Sequence, residues 1–304
     1  RFIPKFFKIN GKATGSISIN GTSEETHFHY DINIDNPEFD LVKMYTLVSR
    51  GNYNGKKLII EMAQASNKDG SINASGSVPF DLNIGSSSFG RYFENDSIQL
   101  NTEANLNNLP FLAPYILDLD SVDGNYKINL FMEGPMKNIN RNGNISIQNG
   151  VFYTQLLNDP IRFIEGKAEL INNKLIFDNL SANLNYENGK NIFPKISNTN
   201  INGEIDLTKF FEPYYNLKVD AKKAFFRLLS LDIYGQTNLD ITIVGRDTVS
   251  ISGKIEPQEV NVFYEFATED IGSAIAEDKG IIMSYDLNIP LRNKAFFQNS
   301  QIDA

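Results

Sequence analysis

Cysteine and tryptophan are absent from the 304 residues, and histidine occurs only twice, at His27 and His29. Without cysteine there is no disulfide, no thiolate metal ligand and no thiol nucleophile. That absence also suits an oxidising compartment. With two histidines, imidazole acid–base chemistry has few places to sit. No run approaches the ~20 apolar residues of a membrane helix, and no signal peptide is visible. Lysine and arginine number 28 against 37 acids, a net charge of −9, and they form no basic block. An acidic surface repels phosphate backbones, so nucleic acid is not an expected partner. Neither a G-x-S-x-G nucleophile motif nor a phosphate loop occurs.

What is present is alternation. Hydrophobic residues make up 41% of the chain, and they recur at every second position, the period of a half-buried strand. Ile17 and Ile19 begin the series, followed by Phe28, Tyr30, Ile32 and Ile34. Leu58, Ile60 and Met62 form the next run, then Val78, Phe80, Leu82 and Ile84. Ile128, Leu130 and Met132 follow, with Ile145 and Ile147, then Leu175 and Phe177. Within "GQTNLDITIVGRDTVSISGKI", Leu239, Ile241 and Ile243 answer Val249 and Ile251 across a turn. The longest run is Ile281, Met283, Tyr285, Leu287 and Ile289. Turn signals separate these runs: "NGT", "KDG", "RNG", "QNG", "ENG" and "ING". Three stretches read as short helices: "NLPFLAPYILDL" at 108–119, "TKFFEPYYNL" at 208–217 and "FATEDIGSAIAED" at 266–278. The expected fold is all-β, with a few short connecting helices.

A longer period lies over the short one. Gly124 to Gly134 encloses "NYKINLFME", and Gly235 to Gly245, 111 positions on, encloses "QTNLDITIV". Each continues into a strand, a further glycine (Gly143, Gly253) and a Phe-Tyr pair at 152–153 and 263–264. Gly11 to Gly21 is a fainter copy. One continuous domain over 1–304 is expected, built of units at 11–122, 123–233 and 234–304, the last cut short. Such repeats stack into a quasi-one-dimensional sheet. If that sheet curls without closing, an apolar groove runs along it.

The stretch "LAPYILDLDSVDGNYKINLFMEGPMKNINRNGNISIQNGVFYTQLLNDPIRFIEGKAELINNKLIFDNLSANL" resembles the C-terminal region of the TamB (translocation and assembly module) family, within the AsmA-like superfamily. Shared features are a G-x-Y-x-I-x-L-x-x-x-G strand, a G-x-I-x-I-x-x-G strand, an I-x-x-I-x-G-x-A-x-L strand and an L-x-F-D-x-L-x-A strand. The closing "YDLNIPLRNKAFFQNSQIDA" is similar to later parts of the same region. The resemblance implies a β-taco, an elongated curled antiparallel sheet with a solenoid-like apolar groove. It implies a periplasmic protein anchored in the inner membrane by an N-terminal helix, here expected upstream of the given sequence. It further implies phospholipid as cargo and an outer-membrane barrel partner of the TamA type. The groove-facing candidates are Phe28, Tyr30, Ile32, Ile34, Ile128, Leu130, Ile145, Ile147, Ile241, Ile243, Val249 and Ile251. No enzyme activity, cofactor or metal is expected. The same patterning also describes the sealed core of a structural or adhesive cell-surface β-repeat protein.

Four other constellations have plain readings. His27 and His29 share the polar face of a strand, where a metal would need a third ligand from elsewhere. In "DLDSVDG", Asp118, Asp120 and Asp123 precede Gly124, but the third aspartate and the glycine each fall one place late for a calcium loop. Glu204 and Asp206 come closest to the carboxyl pair of a glycosidase, as a carbohydrate-cleaving solenoid would need. Yet they alternate with Ile205 and Leu207, which places them on a solvated face. "RFIPKFFK" at 1–8 reads as a strand rather than a membrane-surface segment.

Overall fold

The structure is a computed structural model that describes residues 9–39, 42–109, 119–154, 157, 159–184, 197–210, 212–228, 233–263, 282–290 and 295–298. Among them are seventeen strands and no helix. The all-β reading holds, and the sheets are mostly antiparallel and do not close on themselves. Unit 1 comprises Arg1–Phe111, Gly124–Ser146 and Glu169–Asn173; unit 2 comprises Leu112–Asp123, Ile147–Ala168 and Lys174–Ala304.

Unit 1 is a meander of β1 (Ile9–Gly21), β2 (Thr26–Phe39), β4 (Thr46–Asn54), β5 (Lys57–Asn67), β6 (Gly70–Pro79) and β7 (Ser97–Asn108), with the two-residue β3 (Val42–Lys43) beside β2. Each strand pairs antiparallel with the next long one. Next in the chain come β8 (Leu119–Pro135), β9 (Asn140–Thr154) and β10 (Ile161–Ile171), which contribute residues to both units. Gly143 of β9 lies against Asn129 and Leu130 of β8, and Gly150 lies against Ile164 of β10.

Unit 2 continues through β11 (Lys174–Asn183), β12 (Thr199–Asp206), β13 (Tyr214–Leu228), β14 (Ile233–Gly245) and β15 (Thr248–Phe263), again antiparallel. β16 (Ile282–Asn288) and β17 (Ala295–Gln298) then pair parallel to the two halves of β15. Parallel pairing needs a long crossover, and residues 264–281 separate β15 from β16. The three glycine-bounded segments, Gly11–Gly21, Gly124–Gly134 and Gly235–Gly245, fall on β1, β8 and β14.

Local chemistry explains the turns. Asn172 and Asn173, with φ of 50° and 67°, form the two-residue turn between β10 and β11. Two positive φ values in a row define the type I′ turn, which asparagine tolerates. "KDG" also turns as expected, with Asn67 Oδ1 accepting the Asp69 amide at 2.8 Å.

Other readings are corrected. "RNG" and "QNG" lie inside β9, and "ING" lies inside β12. Their glycines serve close approach of neighbouring strands rather than reversal of the chain. At Gly203 (φ +123°) an added Cβ would stand 2.2 Å from the Asn216 carbonyl oxygen. The helix expected over 208–217 is a turn that runs into β13 at Tyr214, where Tyr214 and Tyr215 pair with Asp206 and Ile205. Pro213 has no N–H to continue a helix. The other two helical readings lie largely or wholly outside the described residues, as does "RFIPKFFK".

The strand expected from Val78 to Ile84 ends at Pro79 and gives way to a loop. The run Leu58, Ile60, Met62 is broken as well. Ile60 pairs with Gly51 and Gly76, but Met62 lies opposite Arg50, and the register resumes at Ala63 opposite Ala74. A bulge inserts a residue and flips the alternation, so Ala63 and Ala65 take the apolar side after it.

Candidate functional site

Directly paired residues on neighbouring strands share a face, so the registers sort the side chains of β1–β7 and β11–β17. In unit 1 one cross-strand row reads Ile17, Tyr30, Gly51, Ile60, Gly76, Leu100. The next on that face is Ile19, Phe28, Tyr53, Leu58, Val78; on the other side come Gly15, Ile32, Ser49, Ala63, Ala74, Thr102 and then Ala13, Ile34, Leu47, Ala65, Ile72, Ala104. One apolar face thus extends over six strands. The opposite face carries Ser18, His29 and Asn52 in one row and Ser16, Asp31, Arg50 in another.

Unit 2 repeats the division. Phe177, Gly203, Leu217, Ile243, Ile251 and Tyr285 form one row, and Leu180, Ile201, Val219, Ile241, Gly253 and Leu287 the next. Its other face holds Ser181, Asn200, Asp220, Asp240, Lys254 and Asn288 in a single row.

The twelve sequence candidates take these places. Phe28, Tyr30, Ile32 and Ile34 sit together on the apolar face of β2, Tyr30 buried and the others half-buried. Ile128 and Leu130 on β8 and Ile145 on β9 are half-buried, and Ile147 is buried. Ile243 stands directly opposite Ile251, while Ile241 faces Gly253 and Val249 faces Gly245. Ile241 and Val249 are buried; Ile243 and Ile251 are half-buried. Seven candidates belong to unit 1 and five, beginning with Ile147, to unit 2.

Sequence reasoning missed two features of the apolar face. The first is Tyr53, 2% exposed, whose ring stacks on Phe28 with centroids 5.1 Å apart. The second is the loop after β6, which closes over that aromatic pair. Leu82 donates its amide to Tyr53 Oη at 3.0 Å. Asn83 Oδ1 accepts the Thr26 amide at 2.9 Å, Asn83 Nδ2 donates to the Gly55 carbonyl at 2.9 Å, and Ile84 donates to Thr26 Oγ1 at 3.1 Å.

At the loop's centre is Asp81, buried, with Oδ2 accepting from Ser86 Oγ at 2.5 Å and Ser88 Oγ at 2.6 Å. Its Oδ1 accepts from the Asn83 amide and side chain at 3.2 and 3.1 Å. The hydroxyl bonds from Ser86 and Ser88 hold the Asp81 carboxyl below its ordinary range, with the Asn83 bonds adding to them against a smaller opposing effect of burial. Burial pushes the Tyr53 phenol up, against the Leu82 bond and with the help of the Asp81 charge. The signal for this loop was the spacing Asp81, Asn83, Ser86, Ser88, a side-chain-to-backbone turn pattern.

The polar constellations are solvated. His27 and His29 face out, His27 3.8 Å from Glu25. Glu204 pairs with Lys174 at 2.8 Å, and Asp206 Oδ1 accepts the Thr208 amide at 2.8 Å. Both acids lie on the polar face, each with its own partner. Asp120 and Asp123 lie within β8, and Asp118 falls outside the described residues. No cluster of three metal-ligating side chains occurs among the described residues.

The architecture therefore defines an open, mostly antiparallel all-β protein in which one face of each unit's strands is predominantly apolar and the other predominantly polar. No protein-family model, no curated protein and no solved structure matches the chain.

Proposed function

We propose that this chain is a non-enzymatic lipid-transfer segment of the TamB-like, AsmA-like kind, which holds phospholipid acyl chains against its apolar faces in the periplasm. In that role the full-length protein is anchored in the inner membrane and meets an outer-membrane barrel of the TamA type. It serves phospholipid movement and envelope assembly between them. The observation that carries the reading is the in-register apolar face over six strands of unit 1, repeated in unit 2. Large parts of that face are half-buried rather than sealed, including Phe28, Ile32, Ile243 and Ile251. Each acyl CH₂ taken from water contributes about 0.8 kcal/mol, so about ten contribute roughly 8 kcal/mol with no specific polar contact.

The test is lipid extraction and native mass spectrometry on the purified protein, with Ile128→Asp and Ile243→Asp variants. Both positions are half-buried, whereas Ile241, 9% exposed, would report on folding as much as on binding. Phospholipid that co-purifies with the parent and is lost from variants of unchanged circular dichroism supports the reading. A folded parent free of lipid overturns it and leaves the sealed structural or adhesive repeat.

A further inference from the structure

On the polar face of unit 2, the bulge in β13 opens a depression of about 820 Å³, within the size range of small-molecule sites. The register between β13 and β14 slips between Ala221 and Ala224, leaving Lys222 and Lys223 as the bulged residues. Lys223 has φ of 50°, a left-handed backbone that asparagine or glycine adopts readily and lysine rarely does. The strained conformation is held in place. Asn238 Oδ1 accepts the Lys223 amide at 2.9 Å, and the Asn198 carbonyl accepts the Lys222 amide at 2.8 Å.

Both ammonium groups are exposed, and neither has a hydrogen-bond or ion-pair partner among the described residues. The two acids lining the same depression already have cations. Asp220 lies 3.5 Å from Lys218, which bridges it to Asp240 at the same distance, and Glu256 pairs with Lys254. With its Oδ1 turned to the backbone, Asn238 has its amide nitrogen left for the depression, which Asn200 also lines. A fold that needed only a bulge would put glycine at 223. A lysine there accepts strain in return for a second positive charge, and strain of this kind gathers at functional sites.

We propose that this depression binds a phosphate oxyanion, with Lys222 and Lys223 supplying charge and the Asn238 amide a directional donor. The ligand is a phosphate group on a lipid headgroup or on a small soluble molecule. The site stands on the polar face and does not depend on acyl-chain binding.

The test is titration of the protein with sodium phosphate at constant ionic strength, read by backbone amide shifts around 220–223 and 238. A parallel arm measures sedimentation with phosphatidylglycerol vesicles. The variants are Lys223→Gly and Lys222→Gln. Saturable shifts that chloride does not reproduce, weakened at least tenfold in both variants, support the site. Lys223→Gly should at the same time raise the melting temperature, since glycine relieves the backbone, so lost binding cannot be put down to unfolding. Vesicle binding that the variants lose, with no response to free phosphate, assigns the source to a headgroup; response to phosphate alone assigns it to a soluble ligand. Shifts equal to those with chloride and unchanged in the variants, with no vesicle binding, overturn the proposal.

Discussion

Replacing Asp81 by asparagine tests whether one carboxylate organises the loop that closes over Tyr53 and Phe28. The carboxylate accepts four hydrogen bonds, the two short ones from Ser86 and Ser88 on a single oxygen. An amide keeps the shape, loses the charge and presents an NH₂ where one oxygen stood. Bonds to charged groups contribute about 1.5–3 kcal/mol and neutral ones about 0.5–1.5, so weakening the two hydroxyl bonds costs about 2 kcal/mol. In a protein built from repeated strands that loss falls locally. Amide exchange at Thr26, Leu82, Ile84 and Gly85, all donors in this cap, should accelerate roughly 30-fold. Amides of β14 and β15 should not change. The acid dependence follows from the depressed Asp81 carboxyl. The stabilisation is fully present above the unfolded-state value of about 3.9 and is lost as pH falls through the lower folded value. The variant should lack that acid-induced loosening of the cap. Equal protection of these four amides in parent and variant would refute the reasoning.

Three further substitutions probe how the strands sort their faces. Gly203→Ala forces a side chain onto a backbone at φ +123° and places its Cβ 2.2 Å from the Asn216 oxygen; a loss of at least about 3 kcal/mol is expected, read as faster amide exchange along the β12–β13 ladder. Ile60→Thr should cost about 1 kcal/mol and Met62→Thr well under that, measured by chemical denaturation, because Met62 lies beyond the bulge on the side of Arg50. Equal losses at 60 and 62 would mean that the bulge does not flip the strand.

Much of this was legible from alternation, because period two along a strand assigns faces without knowledge of the partner strand. Leu239, Ile241 and Ile243 do share a face with Val249, Ile251 and Ile255 across the two-residue Arg246–Asp247 turn. What alternation cannot carry is where it stops. Phe80, Leu82 and Ile84 continue the period of Val78, yet Asp81 turns inward and the chain leaves the sheet, because a buried carboxylate with four donors outweighs the pattern. The Asn-Gly pairs misled for a related reason. Glycine admits a positive φ in a turn or beside a neighbouring backbone equally well, and only the partner strand shows which is needed. The depression at Lys222 and Lys223 left no mark on the sequence, since a bulge exists only relative to β14.

The rows running across the strands hold the arrangement that matters most for the lipid reading, and partners in a row lie many residues apart in the chain. Tyr30, Gly51, Ile60, Gly76 and Leu100 alternate large with absent side chains over five strands. Tyr30 reaches over Gly51, where an added Cβ would come within 2.9 Å of its hydroxyl. In unit 2, Gly253 stands between Ile241 and Leu287, and Gly245 between Tyr215 and Val249. Side chains that converge on a bent face must be thinned out, and glycine opposite a large residue does that without breaking the apolar surface. An alkyl chain laid across such rows meets the same large-and-small rhythm as it crosses strands about 4.8 Å apart. Its affinity then changes little from one strand to the next. On the proposed reading, that uniformity is what distinguishes a face suited to passing a lipid along from a pocket suited to keeping one. A carboxylate introduced into that rhythm at 243 puts a charge where, on the same reading, acyl chains must lie, so the lipid that co-purifies with the parent should be lost.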